Sequence, residues 1–378
     1  MPGSWRYDAK VQMENTLNSL PNTRTRFAEV YRVLGQALAE RVFPGCAFGV
    51  LAGGQVVLLD ALGRFTFEHE APAVLPRTVY DVASLTKVIS TTAAAMLLHQ
   101  RGQLNLETPL GELLPDFLSG RDNLDPARRI RLRHLLAHNS GLPGYVEFFR
   151  TAQSPQQLLH ACLTLPLEAS PEERAEYSDP GFILLGKALE VITREELAVW
   201  VRREVWQPLG LQATCFCPPI AVRDAIPPTE QDTTFRQRRI QGEVQDENAW
   251  VMGEAAGHAG VFSNVPDLLR FAKELLAAAA ANPSLFSPST LELFAHRQPP
   301  TGSSRALGWD TPSEISSSGH CFSRHSIGHL GFSGCSLWMD LDADLAIVLL
   351  TNRTWPDRKN QGIRALRPLF HDAVRKSF

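Results

Sequence analysis

"YDVASLTKVIS", residues 80 to 90, places a serine three residues before a lysine, where a polar, extended stretch passes into an apolar run of helical character. One interpretation of Ser84 and Lys87 is a helix start, because serine caps helices well and lysine is a common helix former. Another is a nucleophile with a basic partner one helical turn away. The pair alone favours the helix start, and the rest of the chain decides between the two.

The chain has strand-like patterns near both of its ends. "CAFGVLA" (46–52) and "QVVLLDALG" (55–63) are joined by two glycines, which is typical of a tight hairpin. Near the C-terminus, "CSLWMDLDADLAIVLLTNR" (335–353) predicts two strands around an Asp-rich turn. We therefore expect one antiparallel sheet assembled from both ends of the chain.

Helical patterns flank these strands and fill the middle of the chain. Two terminal stripes have helical spacing: Phe27, Tyr31, Leu34 and Leu38, then Ile363, Leu366, Phe370 and Val374. Residues 88 to about 245 are rich in helical patterns, and Thr193 with Glu196 predicts a capping box there. The expected fold is α/β (α+β), an antiparallel β-sheet flanked by N- and C-terminal helices, with a large, mainly helical insertion.

This order of elements predicts two domains. Residues 22–83 and 250–378 would form the α/β sheet domain, residues 84–249 a mainly helical domain, and residues 1–21 an N-terminal extension. Ser84 then lies at the junction of the two domains, where binding sites often form. It also begins the first inserted helix, whose free backbone N–H groups would stabilise an oxyanion.

The composition excludes several classes of function. The 378 residues are 44% hydrophobic and 20% charged, with a formal net charge of −3, which is typical of a soluble globular protein. No basic cluster offers a surface for nucleic acid or an anionic membrane. The longest apolar runs, such as "LAIVLL" (345–350) and "LLAAAAA" (275–281), are too short to span a bilayer.

The first residues and the cysteines indicate a cytoplasmic protein. The N-terminal stretch carries charges where a secretory signal needs an apolar core, so the protein is expected to be cytoplasmic unless a signal has been removed. All six cysteines are interpreted as reduced, small apolar residues of a reducing compartment. They are Cys46, Cys162, Cys215, Cys217, Cys321 and Cys335.

Four further stretches bear on Ser84 and Lys87. They are "LRHLLAHNSGLPGY" (132–145), "EYSDPGFILLGKALE" (176–190), "AAGHAGVFSNVPDLLRFA" (255–272) and "GHLGFSGCSLWMDLDADLAIVLLTNR" (328–353). With "DVASLTK" they resemble, in the same order, the motif set of the serine β-lactamase and penicillin-binding-protein superfamily. The most similar branch contains class C β-lactamases, D-alanyl-D-alanine carboxypeptidases and family VIII carboxylesterases. The resemblance runs from about Phe43 to the C-terminus.

The resemblance implies a role for each matching residue. Ser84 matches the nucleophile, Lys87 its basic partner, and Tyr177 the tyrosine that shares the proton and passes it to the leaving group. Phe332, which follows "HLG", would complete an oxyanion hole with the N–H of Ser84. Gly331 is expected to leave room for substrate along the strand edge. Whether Lys87 or Tyr177 accepts the serine proton stays open.

Three residues depart from the family pattern. Asp179 replaces an asparagine whose amide contacts the substrate, and its charge beside Lys87 would favour the protonated lysine. Leu330 replaces a hydroxyl residue, and His329 stands where a fixed cation is usual. These changes predict weak recognition of anionic substrates and poor hydrolysis of β-lactams.

Neither a metal nor a cofactor is expected. His134 and His138 have the i, i+4 spacing of zinc ligands, but the glutamate of His-Glu-x-x-His is missing and no third ligand is evident. His258 is interpreted as structural or as a support of the site. The chain contains no Gly-x-Ser-x-Gly elbow, so an α/β-hydrolase lacks its nucleophile motif.

The sequence therefore predicts a serine hydrolase that works through an acyl-enzyme on Ser84, favouring a carboxylesterase for small neutral esters. The alternatives are a D-alanyl peptidase or a class C-like β-lactamase, and, from another class, a penicillin-binding sensor or scaffold without turnover. The expected partner is a small-molecule ester, amide or lactam, not nucleic acid. The physiological substrate and the oligomeric state stay open.

Overall fold

Five antiparallel strands form the main sheet of the computed structural model, which describes residues 21–378. The strands, in chain order, are β1 (Gly45–Ala52), β2 (Gln55–Gly63), β3 (Tyr80–Asp81), β4 (Cys215–Phe216), β5 (Glu230–Gln231), β6 (Arg239–Ile240), β7 (Val261–Ser263), β8 (Ser326–Leu330), β9 (Ser336–Asp340) and β10 (Leu345–Thr351). The main sheet has the order β2-β1-β10-β9-β8, so strands from the two ends of the chain pair at its centre. The expected sheet and its Gly53–Gly54 hairpin are confirmed.

Helices cover both faces of this sheet. They are α1 (Pro21–Arg26), α2 (Ala28–Ala39), α3 (Ala93–Gln100), α4 (Leu110–Leu113), α5 (Leu132–Leu136), α6 (Pro155–Leu163), α7 (Asp179–Thr193), α8 (Leu197–Val201), α9 (Glu247–Val251), α10 (Val265–Ala279), α11 (Pro288–Ala295) and α12 (Ile363–Arg375). The mixed helix and antiparallel-sheet class predicted from the sequence is confirmed. The predicted domain boundaries stay a prediction, and residues 1–20 of the expected extension lie outside the described residues.

The two faces of the sheet bury different hydrophobic clusters. Successive side chains of a strand point to opposite faces, so Ile347 and Leu349 of β10 face α2 and α12, whereas Ala346 and Val348 face the opposite cluster. On the first face, the ring of Phe48 stabilises the packing of both terminal helices. Full burial of such a side chain contributes about 1.5–3 kcal/mol to stability.

The second cluster joins the sheet to the helices that carry the motifs. The helix after Ser84 begins as a π-helical segment (Lys87–Thr92) and continues as α3, and its side chains are buried up to Leu98. Apart from Lys87, Ser90, Thr91 and Thr92, these buried side chains are apolar, which is typical of a helix in the core. This burial holds the start of the helix in place.

The predicted capping box at Thr193 is wrong. Thr193 ends α7, and its hydroxyl donates to the Leu189 carbonyl. α8 begins only at Leu197, whose N–H is bound by the carboxylate of Glu190 from the preceding helix. A contact within the helical hairpin therefore replaces the local cap, because the shorter α8 begins on the far side of a tight turn.

A small second sheet positions Ser84. β7 lies between β3 and β4, and Tyr80 and Asp81 of β3 pair with Ser263 and Phe262 of β7. The chain leaves β3 directly into the turn that carries Ser84. Among residues 21–378, no helix has the length and apolar character needed to cross a membrane.

Candidate active site

The turn that carries Ser84 has a strained and firmly anchored backbone. Ala83, directly before the serine, has a φ of +48°, a conformation that a non-glycine residue keeps only where its surroundings hold it. The Ala83 N–H donates to the Asp81 carboxylate (2.8 Å), and its carbonyl accepts from the Thr86 hydroxyl (2.7 Å). The Thr86 oxygen also accepts from the N–H of Val261 in β7 (3.0 Å). These contacts fix the direction of the Ser84 side chain.

Lys87 lies beneath Ser84 and uses all three protons of an ammonium group. Its Nζ donates to Ser84 Oγ (3.2 Å), to Asp179 Oδ1 (2.6 Å) and to the carbonyl of His258 (3.0 Å). Its side chain is 0% exposed, whereas that of Asp179 is 14% exposed. Three acceptors around one buried Nζ favour the protonated lysine.

The charges around Lys87 and Asp179 also favour the protonated lysine. Burial is the largest single influence and lowers the pKa of Lys87, but the Asp179 carboxylate and Tyr177 together outweigh it, and the pKa of Lys87 is raised. Lys87 can therefore take up the Ser84 proton only if it passes a proton on to Asp179. The replacement of an asparagine by Asp179 has a direct consequence for the chemistry of the serine.

Tyr177 stands next to this pair. The Lys87 ammonium lies 4.7 Å from the centre of the Tyr177 ring, within the range of a cation–π contact. The Tyr177 hydroxyl is buried and makes no hydrogen bond of normal geometry within residues 21–378. Burial raises the pKa of Tyr177, although Lys87 and Ser84 partly offset this effect. The phenol is thus neutral at rest and free to exchange a proton with a substrate.

The end of β8 approaches the Ser84 turn closely. A Cβ added at Gly331 would lie 2.4 Å from the carbonyl oxygen of Val82, two residues before Ser84. The glycine is therefore needed for contact between β8 and this turn, and its expected role in leaving room for substrate stays a prediction. Phe332 follows, with an N–H that has no acceptor within residues 21–378 and a side chain that is 47% exposed.

Two contacts that the sequence analysis missed hold the turn between β8 and β9. The buried Arg367 of α12 donates to the carbonyls of Gly331 (2.7 Å) and Cys335 (2.8 Å). The Ser333 hydroxyl donates to the carbonyl of Asp81 (2.8 Å), which links this turn to the strand before Ser84. An arginine on the apolar stripe of α12 was the available signal for the first contact.

His329 and Leu330 give the strand edge a neutral character. His329 is buried, and burial lowers its pKa well below 6.5, with the positive charge of Lys87 adding to the effect. Its Nδ1 donates to the carbonyl of Leu330 (2.9 Å), which leaves Nε2 unprotonated and without a partner within the described chain. The imidazole is therefore neutral across the physiological range.

Arg305 is a cation near the site that the sequence analysis missed. Its guanidinium lies 5.4 Å from the centre of the Tyr177 ring and 3.8 Å from the carboxylate of Asp310. It is partly exposed and adds positive charge beside the neutral His329. The segment before "ALGW" carried no recognisable signal in the sequence.

The two histidines with zinc-like spacing have separate structural contacts. His134 Nδ1 accepts from the N–H of Arg131, and its Nε2 lies 3.2 Å from Glu172. His138 Nδ1 accepts from the N–H of Ser178 (3.0 Å). Within residues 21–378, no group of three or more His, Cys, Asp or Glu side chains is arranged to hold a metal ion.

Comparison with known proteins assigns the chain to a family. The family described as Beta-lactamase matches residues 30–369. The chain belongs to the beta-lactamase family. Its similarity to N-acetylmuramyl-L-alanine amidase of Bacillus subtilis (strain 168) is 29% identity over 343 residues, covering 82% of this chain and 77% of that protein.

Solved structures show that this beta-lactamase family protein shares its fold with others. EstCE1, a hydrolase with promiscuous acyltransferase activity, superposes with a TM-score of 0.74 at 23% identity, covering 94% of this chain and 99% of that one. The octameric penicillin-binding protein homologue from Pyrococcus abyssi gives 0.69 at 19% identity, covering 90% and 76%. The resemblance read from the motifs is confirmed, and the protein is a serine hydrolase of the beta-lactamase family.

Asp81 provides a stability test in this beta-lactamase family protein. Burial raises its pKa from 3.8 to about 6, although the N–H groups of Gln245 and Ala83 partly offset the rise. The folded protein then binds the proton more tightly than the unfolded chain, so the stability that the protonated group contributes is lost as the pH rises from 4 to 6. Relative to Asp81→Asn, the free energy of unfolding is expected to fall by about 2 kcal/mol over that interval.

Urea unfolding of both proteins at pH 4 and pH 7 measures this difference. The asparagine keeps the size of the side chain but loses one acceptor, a cost that does not depend on pH. A constant difference between the two proteins at both pH values would show that the Asp81 carboxyl titrates as it does in the unfolded chain.

Proposed function

We propose that the protein is a carboxylesterase that hydrolyses small neutral esters through an acyl-enzyme on Ser84. The observation that carries the proposal is the contact of Lys87 Nζ with Ser84 Oγ (3.2 Å) in a site where Asp179 takes the place of an amide. A serine hydroxyl is a weak nucleophile until a neighbouring group accepts its proton. Lys87, Asp179 and Tyr177 lie beside Ser84 and can move this proton.

Acylation then proceeds by a balanced proton transfer. Ser84 Oγ attacks the ester carbonyl as its proton passes to Lys87 Nζ and a Lys87 proton passes to Asp179. When the intermediate collapses, the neutral Tyr177 hydroxyl donates its proton to the leaving alkoxide and recovers one from Lys87, which takes back the proton held by Asp179. The Ser84–carbon bond forms, the carbon–alkoxide bond breaks, and the alcohol departs. The Lys87 ammonium stabilises the oxygen of Ser84 as the proton leaves, and water releases the acid by the reverse route.

The oxyanion of the intermediate would lie between the backbone N–H groups of Ser84 and Phe332. The free N–H of Phe332 and the fixed approach of Gly331 to Val82 support this role. Each such donor contributes about 3 kcal/mol of transition-state stabilisation in enzymes of this type.

Three residues favour esters over amides and lactams. An ionised Asp179 bonded to Lys87 offers no donor to a substrate amide, and its charge repels a carboxylate. Leu330 also lacks a donor, and His329 is neutral. Alkoxide and phenoxide leaving groups require less protonation than an amine, so a neutral phenol as proton donor suits an ester.

The test is a comparison of kcat/KM for short-chain p-nitrophenyl esters with nitrocefin and benzylpenicillin near neutral pH. We expect the esters to be preferred on the order of 100-fold, because Asp179, Leu330 and His329 offer no donor to pair with the desolvated amide and carboxylate of a β-lactam, and an unpaired buried polar group costs about 1–3 kcal/mol. His329→Lys and Asp179→Asn should each reduce this preference by adding a cation or an amide.

Matched variants keep the comparison interpretable. His325→Lys adds the same cation at an exposed histidine outside the site and should leave the preference unchanged. A parent protein that prefers a β-lactam to the neutral esters would contradict the argument from these residues. Acylation by a lactam without turnover of any ester would instead indicate a sensor or scaffold.

A peptidase or amidase for carboxylate-bearing substrates is a second candidate, which Arg305 favours. Its guanidinium lies beside Tyr177, and its only acidic contact in the described chain, Asp310, is 3.8 Å away. The similarity to an amidase points in the same direction. If this candidate is correct, Arg305→Gln will raise KM for a D-alanyl peptide at least about tenfold and leave KM for p-nitrophenyl acetate unchanged.

A further inference from the structure

The loop at residues 138–144 holds the backbone around Tyr177 from both sides. The carbonyl of His138 accepts from the N–H of Glu176 (2.8 Å), and its Nδ1 accepts from the N–H of Ser178 (3.0 Å). His138 thus binds the residue before Tyr177 and the residue after it. The Ser178 hydroxyl also donates to the carbonyl of Pro143 (2.7 Å) in the same loop.

The His138 ring contacts Tyr177 directly. The two ring centres are 4.6 Å apart, and the centre of the Phe182 ring lies 4.9 Å from that of the imidazole. His138 is buried, and its backbone φ of +56° lies in the left-handed region, where histidine, asparagine and aspartate are enriched among non-glycine residues. Because Nδ1 accepts a hydrogen bond from a backbone N–H, the ring proton must be on Nε2.

We propose that His138 is the positioning residue that aims the Tyr177 hydroxyl at Ser84 and Lys87, and that its Nδ1 acceptor performs this task. The inference rests on the proton-transfer role proposed above for Tyr177. That hydroxyl has no hydrogen bond of normal geometry of its own within the described residues, so its direction depends on the backbone that carries it. Without the Nδ1 acceptor, the Ser178 N–H would be buried and unpaired, and the segment would shift to satisfy it.

Two substitutions separate the acceptor from the ring. His138→Asn places an amide oxygen where Nδ1 was, tolerates the positive φ and removes the ring. His138→Phe keeps the ring against Tyr177 and Phe182 but removes the acceptor. We expect His138→Phe to lower kcat for p-nitrophenyl acetate by about 100-fold with little change in KM, the effect of a displacement of about 1 Å. His138→Asn should retain kcat within a few-fold of the parent.

A double substitution tests whether His138 acts through Tyr177. In the Tyr177→Phe background, His138→Phe should cause no further loss of kcat, because the group that it positions is already absent. Thermal unfolding of every variant checks that the fold is kept, and labelling of Ser84 by a fluorophosphonate checks the nucleophile independently.

Different results would contradict the role of His138 and the role of Tyr177. Unchanged kcat in His138→Phe, or an equal loss in His138→Asn at an unchanged melting temperature, would overturn the role of Nδ1. Fully additive losses in the double variant would show that His138 acts on another group. If Tyr177→Phe itself leaves kcat unchanged while Ser84 is labelled, it is the proposed proton route that fails.

Discussion

Ser84→Ala is expected to abolish covalent labelling by a fluorophosphonate and to reduce ester turnover on the order of 10⁶-fold, the scale found when a nucleophilic serine is removed. The acyl-enzyme needs an oxygen at this position, and in the described chain Ser84 is the only serine or threonine whose hydroxyl is hydrogen-bonded to Lys87 Nζ. Intact-mass measurement after labelling, together with p-nitrophenyl acetate turnover, tests both parts of the prediction.

Ser90 offers a matched control for this experiment. It lies one and a half helical turns further along, is buried, and has a hydroxyl without a hydrogen-bond partner within residues 21–378. Ser90→Ala should therefore label as fully as the parent protein. Stoichiometric labelling of Ser84→Ala would place the nucleophile elsewhere in the chain.

Tyr177→Phe is expected to lower kcat by roughly two to four orders of magnitude, the usual contribution of a general acid or base. The phenylalanine keeps the packing against His138 and the contact with the Lys87 ammonium, so the loss isolates the hydroxyl. Because burial raises the pKa of Tyr177, the phenol donates a proton but does not supply a permanent charge. Pre-steady-state measurement of the acylation burst shows which step is slowed.

The half-exposed Tyr145 provides the control. Burial raises its pKa as well, and it lies on the 132–145 segment without a hydrogen bond to Ser84 or Lys87. Tyr145→Phe should keep kcat within a few-fold of the parent. If Tyr177→Phe is equally active, Tyr177 is structural, and Lys87 with Asp179 must carry the proton alone.

Local sequence patterns predicted most of the fold. The strand patterns around the Asp-rich turn of 335–353 and the two-glycine turn predicted strands that pair as expected, and β9 and β10 are buried on both faces. The helical stripe that ends at Val374 predicted α12 in the same way. The prediction of a capping box at Thr193 failed because the first N–H of α8 is bound by Glu190 of the preceding helix. The capping-box pattern considers only the residues at the start of the helix and does not include Glu190.

The site was predicted less completely than the fold. The motifs named Ser84, Lys87 and Tyr177, but the residues that hold their loops, such as Asp81 and His138, have ordinary local contexts. Their significance depends on buried hydrogen bonds to backbone groups that are distant in the chain. Sequence spacing does not reveal such partners, because a backbone N–H looks the same at every position.

By itself, the sequence determined that Ser84 and Lys87 stand one helical turn apart, because their spacing in the chain and the geometry of a helix are local properties. The family resemblance predicted that Asp179 would lie beside Lys87 and favour its protonated form, but only the tertiary structure shows how deeply Lys87 is buried and how closely the two groups approach. Asp179 lies 92 residues further along the chain, yet its carboxylate reaches Lys87 Nζ at 2.6 Å and, together with Tyr177, raises the pKa of a lysine whose burial acts to lower it. Charge in a buried site depends on what the fold brings within a few ångströms, since desolvation and Coulomb attraction there are large and of opposite sign.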